Sequence, residues 1–420
     1  MKKLLTLALT LILLLSVSAC TKSEKESTDE NGSGAQQVSQ EPQALVIAAR
    51  GGSHVDAMNA VKEAFESENN VTIEILGLEG DDLKQKISLD STNQTASYDL
   101  IMADDPWMPE LCEAGIFANL EDLGIVADDD FISTSLDLGK HPYATGTLYA
   151  LPFSGNVQLF FYNKEIFQSA GLDVPTNWAD VLTSAQTIKS SGKVGYVIRG
   201  QQGNPIVSDF LPIFWAYGGK LFDDQWNATF NNEQGKEALQ LYLDLFATGA
   251  NYEKADLVSS VSEGSAGMSL GWPSWYISGT DSTAEYAQIP TKIDSSSSSQ
   301  STGMIGNWMM GITANSSKKE LAAKFLSFIT SSNTQKEMVT SGGVPTRKSV
   351  YLDSELSTQY PHFATMLEAH ENSVARPRTA KWSEAEAILG AELSAVVSGT
   401  KSIDEALAEA EKQINELMQN

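Results

Sequence analysis

Apolar residues recur along this chain with two periods, and the two alternate. Positions 44–49 form an unbroken apolar run closed by Arg50-Gly51-Gly52, which predicts a buried strand. Over 55–68, Met58, Val61, Ala64 and Phe65 share one face at helical spacing. A second strand is expected over 71–76, a helix over 81–90 and a short apolar strand over 98–103. The alternation resumes with a strand at 158–162, a helix at 178–190 and a strand at 194–198. A helix over 233–246 sets Ala238, Leu241, Tyr242 and Leu245 on one side. A strand over 309–313 precedes a helix over 319–330 whose inward residues are Leu321, Phe325, Phe328 and Ile329. The last helix opens on Ser402-Ile403-Asp404-Glu405, in which the serine and the glutamate three positions on satisfy each other's backbone N–H groups. Its apolar face is Ile403, Ala406, Leu407, Ala410, Ile414 and Leu417. Strand–helix alternation of this kind predicts an α/β architecture built on parallel sheets. The serine-rich run 295–302 reads as a surface loop, and no repeat of fixed period is present.

The N-terminus follows a different rule. Lys2 and Lys3 precede an apolar run over 4–15, broken only by Thr6 and Thr10, that ends in Val17-Ser18-Ala19-Cys20. The run is short for a membrane span, so 1–19 is expected to be a secretory signal peptide. The small residues before Cys20 resemble the bacterial lipobox, which implies that this cysteine is acylated (palmitate) and becomes the new N-terminus. Ordinary cleavage near Ala19, leaving a free thiol, is the plainer alternative. Residues 20–43 are rich in Ser, Glu, Gln, Lys and Gly, bury too little to fold, and read as a flexible tether. The expected location is extracytoplasmic, lipid-anchored to the outer face of the bacterial cell membrane.

Composition narrows the chemistry. A length of 420 residues suggests two or three globular units, and 42% hydrophobic residues suffice for sizeable cores. A formal charge of -26 argues against nucleic acid, whose phosphates need a basic surface; a solvated acidic surface is the simpler meaning. The two cysteines, Cys20 and Cys112, cannot form a disulfide framework, and Cys112 reads as an inert buried thiol on a helix. The four histidines are scattered, with no HExxH and no EF-hand loop, so neither metal nor cofactor is expected; a carboxylate-only calcium site stays open. GxSxG, Walker and GxGxxG motifs are missing, and adjacent carboxylates such as Asp104 and Asp105 rarely flank one bond, so an enzyme is not expected.

Aromatic placement carries more information. Several of the eight tryptophans follow or end predicted strands, as in Asp104-Asp105-Pro106-Trp107, Gly271-Trp272-Pro273-Ser274-Trp275 and Gly306-Asn307-Trp308. Ligands of open α/β sheets bind beyond the carboxyl ends of strands, and a sugar wants an aromatic platform beside carboxylates and amides. Each tryptophan could equally plug a core, Trp178 and Trp226 above all. Arg50-Gly51-Gly52-Ser53-His54, between the first strand and first helix, allows close backbone approach, an anion at the helix N-terminus and bidentate recognition by Arg50. A tight turn with Ser53 as N-cap is the structural alternative.

The chain resembles the family 1 extracellular solute-binding proteins, the group of maltose-binding protein, over 44–420. The resemblance rests on ordered stretches: Tyr98-Asp99-Leu100-Ile101 through Trp107 to Glu113-Ala114-Gly115-Ile116-Phe117-Ala118-Asn119-Leu120; Leu151-Pro152-Phe153; Phe161-Tyr162-Asn163-Lys164-Glu165-Ile166-Phe167; Ala170-Gly171-Leu172; Pro175-Thr176-Asn177-Trp178; Tyr217-Gly218-Gly219-Lys220-Leu221; and Ala266-Gly267-Met268. It implies a two-lobed periplasmic-binding-protein-like α/β fold of the class II type, with the ligand in the cleft. Lobe 1 would be 44–153 plus 309–345, and lobe 2 would be 154–308 plus 346–420. Crossings are expected near 153–157, 306–311 and 344–349, with hinge closure trapping the ligand. The implied ligand contacts are Asp105 and Trp107 in the first loop, Asn156 at a crossing, Ser208 and Asp209 in the second lobe, Trp272 and Trp275, Asn307 and Trp308 at the second hinge, and Arg347. Arg376 and Trp382 are further candidates, and the residue reading adds Arg50 and His54. Asn156 stands where maltose-binding protein carries a carboxylate, so maltodextrin is not the expected ligand. The implied function is the substrate-binding lipoprotein of an ABC importer, capturing a mono- to oligosaccharide for the transmembrane permease subunits. An acidic sugar, phosphodiester or other polar solute is the alternative, and a carbohydrate-processing surface enzyme a third reading. A monomer is expected, since both faces of the cleft must move.

Overall fold

The computed structural model describes residues 43–275, 282–294, 296 and 303–419. The expected signal peptide, Cys20 and all of the tether but Gln43 lie outside the described residues, as does the 295–302 run apart from Ser296.

The strands begin with β1 (Gln43–Arg50), β2 (Val71–Leu78) and β3 (Leu100–Asp104), then a small hairpin, β4 (Lys140–His141) and β5 (Thr147–Leu148). β6 (Ala150–Ser154) and β7 (Leu159–Asn163) follow closely, then β8 (Val194–Ile198), β9 (Ala250–Asn251), β10 (Ala266–Gly271), β11 (Ala284–Ala287) and β12 (Trp308–Ile312). They form two five-stranded sheets, ordered β2-β1-β3-β12-β6 and β11-β7-β10-β8-β9. The sheets are mixed rather than parallel as expected. β1 runs parallel to β2 and β3, but β12 is antiparallel to β3 and β6. In the second sheet β8 is parallel to β9 and β10, while β7 is antiparallel to β10 and β11. The reason is topological: β11 of the other sheet precedes β12 with no helix between them among the described residues, so nothing obliges β12 to run parallel.

Each sheet is covered on both faces. Leu45, Ile47 and Ala49 of β1 pack on Met58, Val61 and Phe65 of the Ser53–Asn69 helix, while Ala48 meets Leu83 and Ile87 on the other face. Burial on both faces is why β1 reads as an unbroken apolar run. In the second sheet Phe160, Tyr196 and Met268 share a core with Trp178, Phe210 and Tyr242; Leu159, Phe161 and Val197 pack oppositely on Leu257, Phe363 and Met366. Two separate layered cores make two lobes. The Trp382–Val397 and Ile403–Gln419 helices join the second core, and the predicted cap is formed reciprocally, Ser402 N–H to Glu405 at 3.0 Å and Glu405 N–H to Ser402 Oγ at 3.3 Å. No helix among the described residues is long and apolar enough to cross a membrane.

Three segments lie side by side where the sheets meet. Val157 pairs with Ile305, and Met304 with Val374. Gly155 donates to Val344 O at 2.9 Å, and its carbonyl lies 2.6 Å from His370 Nε2. A Cβ on Gly155 would sit 1.9 Å from the Pro345 carbonyl oxygen, so only glycine lets these backbones approach.

Candidate ligand-binding site

The ends of the strands meet across the cleft. β1 delivers Arg50, and the β3–β12 register sets Trp308 opposite Asp104. From the second sheet, Trp272 and the turn Pro273–Trp275 follow β10, and Arg199 follows β8. Asn204 and Lys254 stand at the first positions of the Asn204–Ala216 and Lys254–Ser262 helices. With Gly51 to His54, Asp56, Asn156, Ser274, Gly306 and Arg376, these residues enclose a cavity of about 430 Å³. A second cavity of about 770 Å³ shares Arg50, Asp104, Asn204 and Trp308 and adds Glu79, Lys84, Trp107 and Glu386.

Of the residues singled out in the sequence, Arg50, His54, Asn156, Trp272, Trp275, Trp308 and Arg376 line the first cavity. Trp107 lines the second, edge-on to Trp308 with centroids 5.7 Å apart. Others stand behind the walls. Asp105 is fully buried and binds Arg376 Nη2 at 2.7 Å and Arg378 at 3.3 Å, which leaves no ligand-facing oxygen on either cavity. Asp209 is buried against Arg199, accepting from Nε at 3.0 Å, Nη2 at 2.6 Å and the backbone N–H at 2.9 Å. Ser208 bonds back to Asn204 within its helix. Asp209 and Ser208 thereby position two cavity residues rather than lining the cavity themselves. Asn307 is fully buried, its side-chain amide without a hydrogen-bond partner among the described residues, and its carbonyl accepts from Asp105 N–H at 3.0 Å. Arg347 lies elsewhere: it bonds Thr330 O at 2.6 Å and Asp128 at 2.7 Å and covers the Phe131 ring. Trp382 and Trp178 are core plugs, whereas Trp226, expected inside, is exposed beside Phe222. Ser53 is not the N-cap: Gly52, at φ +78°, holds that position and no side chain caps the helix.

Asp104, Arg199, Asn204, Lys254 and Ser274 line the cavity without having been singled out. Arg199 obeys the same strand-end rule that found Trp272. Lys254 has no comparable local signal, because only the packing of its helix on β10 brings it to the cleft.

The site is mixed in polarity. The Arg199 guanidinium lies 5.1 Å from the Trp275 ring and the Lys254 ammonium 5.7 Å, so both cations face one indole. Asn156 Oδ1 accepts from Ser274 N–H at 3.2 Å, tying a crossing segment to the tryptophan turn. Burial, helped by Arg50 and Lys254, lowers the His54 pKa to about 3, so the ring is neutral at physiological pH. Burial raises Asp105 to about 6 against the pull of Arg376. Glu386, partly covered at the second cavity, is raised to about 7 by burial, against Arg376 and the Asn204 amide. Burial pushes the Cys112 thiol up to about 12, which leaves it inert. The arrangement offers indole faces, amides and charged hydrogen-bonding groups, a lining suited to binding a polar solute.

The family model for the bacterial extracellular solute-binding protein matches residues 51–336. The chain belongs to this family. It is a solute-binding protein. A probable amino-acid ABC transporter periplasmic-binding protein of Sinorhizobium fredii is 26% identical over 381 residues, 87% of each chain. The mannitol-binding protein of Pseudomonas aeruginosa is 28% identical, over 49% of this chain and 48% of its own. Among solved structures, a maltose-bound protein of T. maritima superposes with a TM-score of 0.80 at 22% identity, covering 89% of this chain and 99% of the other. A ribitol complex of an ABC transporter solute-binding protein from Agrobacterium radiobacter gives 0.79 at 23%, covering 89% and 98%. These likenesses confirm the two-lobed α/β fold.

Proposed function

We propose that this chain, the solute-binding component of an ABC transporter, captures a carbohydrate or polyol between its lobes and hands it to the permease on hinge closure. The observation that carries this reading is the wall of three indoles, Trp272, Trp275 and Trp308, on one cavity with Asn156, Asn204, Asp104 and Ser274. Indole faces match the C–H surface of a sugar or polyol, and the polar groups match its hydroxyls. Solved two-lobed neighbours bound to maltose, ribitol, D-mannitol and alpha-D-tagatose support the same class. The lobes comprise 44–153 with 309–345 and 154–308 with 346–420, the crossings near 153–157, 306–311 and 344–349 bending on closure. Acylated Cys20 and the 20–43 tether hold the monomeric receptor at the outer face of the cell membrane beside its permease.

Thermal denaturation with a panel of monosaccharides, oligosaccharides, polyols and amino acids tests this. A sugar or polyol at a hundred times its Kd should stabilise the protein by about 2.7 kcal/mol. Stabilisation by amino acids alone, or turnover of a glycoside, would refute it.

A further inference from the structure

The turn entering the Ser53–Asn69 helix lines the first cavity. Gly52 caps it without a side chain; the Val55 and Asp56 N–H groups bond the Gly52 carbonyl at 2.9 and 3.1 Å, while those of Ser53 and His54 have no acceptor among the described residues. His54 is 6% exposed, lines the cavity, and neither ring nitrogen hydrogen-bonds a described residue. Its ring packs at 5.7 Å from that of Trp308. This buried, unpartnered imidazole at the mouth of a helix N-terminus calls for a polar ligand group.

The charges around it are unevenly paired. Arg199 is matched by Asp209, and Arg376 by Asp104 and Asp105. Arg50 meets Glu79 at 2.6 Å, a carboxylate 79% exposed to water. Asp56, exposed in the first helical turn, is the other acid on the wall. Lys254 has no carboxylate within ion-pair distance among the described residues. Arg50 belongs to the first sheet and Lys254 to a helix packed on the second, so two cations face each other across the cleft. Burial, helped by repulsion from Arg50, lowers the Lys254 pKa below its ordinary value.

We propose that the captured solute is an acidic sugar or polyol whose carboxylate sits on the Gly52–His54 turn between Arg50 and Lys254, bridging the two lobes. This rests on the carbohydrate reading above and names its class. A single carboxylate balances the one unmatched cation; a dianionic phosphate would leave excess negative charge beside Asp56 and Asp104. The same group turns Arg50–Lys254 repulsion, which opposes closure of the empty protein, into attraction in the closed one. A ligand drives closure only through such a difference between states.

The test is calorimetric titration of the protein with glucuronate, galacturonate and gluconate against glucose, galactose and sorbitol, with glucose 6-phosphate as the alternative anion. An acid should bind at least about tenfold tighter than its neutral parent, a preference that shrinks with added salt. Arg50→Met and Lys254→Met should each reduce that preference by about tenfold. In small-angle scattering without ligand, Lys254→Met should be more compact than the parent protein, because the cross-cleft repulsion is gone. Equal affinity for acid and neutral parent overturns the proposal and leaves carbohydrate capture standing, as does unchanged scattering by Lys254→Met. Tighter binding of the phosphate overturns the carboxylate assignment. Failure of every sugar in both sets removes the carbohydrate reading and this one with it.

Discussion

Arg376 donates to Asp104 Oδ1 at 2.8 Å, joining the segment after Val374 to the end of β3 on the wall of the cavity. The same nitrogen reaches Asp105 at 2.7 Å, so one guanidinium neutralises two adjacent carboxylates, of which Asp105 is wholly buried. The pairing holds the guanidinium protonated, since the attraction of Asp104 and Asp105 outweighs the cost of burial. One acid thus turns inward to anchor the loop while the other lines the cleft.

Removing the guanidinium strands a buried charge. Arg376→Ala should lower the unfolding free energy by about 3–5 kcal/mol in urea titration. Combining Arg376→Met with Asp105→Leu should restore only part of the loss, because the charge and its partner leave together but Arg378 loses its carboxylate. A loss well under 1 kcal/mol for the single variant would show that the pair does not hold the loop.

Trp275 carries the aromatic wall at modest structural cost, being only half-buried. Trp275→Ala should weaken sugar binding by about tenfold, and Trp275→Phe by less, because a smaller ring still presents a face. Calorimetric Kd values for both variants check the order.

Gly306 has no room for a side chain. A Cβ there would lie 2.3 Å from the Trp272 indole, so Gly306→Ala must displace a cavity wall. The expected outcome is a loss of about 1–3 kcal/mol of stability together with weaker ligand binding. Unaltered affinity would show that the Trp272 ring makes no ligand contact.

Glu386 gives a signed pH dependence. Its pKa rises from the ordinary 4.5 to about 7 in the fold, chiefly through burial. Between these values the folded state holds more protons than the unfolded one, so this group's contribution falls as pH climbs through that window and is level above it. Glu386→Gln keeps an oxygen for the Asn204 amide, which now bonds Glu386 Oε1 at 3.0 Å. Relative to the parent, the variant should gain on the order of 1–3 kcal/mol at pH 8 and nothing at pH 4, by chemical denaturation at each pH. An equal difference at both pH values would mean that the carboxyl is not shifted.

Much of this protein was legible one element at a time. The run at 44–49, the helical face of Met58, Val61 and Phe65, and the reciprocal Ser402–Glu405 cap all appear as read, because each depends on neighbours within a few positions. The strand-end rule likewise brought Trp272, Trp275 and Trp308 to one cavity. Contacts between distant segments decided the rest. Asp104 and Asp105 are equivalent as sequence; Arg376 and Arg378, 271 and 273 positions beyond Asp105, enclose that one and leave Asp104 at the cleft. Asp209 looks like a ligand acid until Arg199 claims both its oxygens. Lys254 reaches the cavity because its helix packs on β10, whose own place in the sheet depends on β7 and β8. Local patterning determines where strands, helices and caps form, since backbone satisfaction and side-chain periodicity are short-range. The pairing of buried charges determines which polar residues face the ligand, and that pairing exists only once the chain has folded.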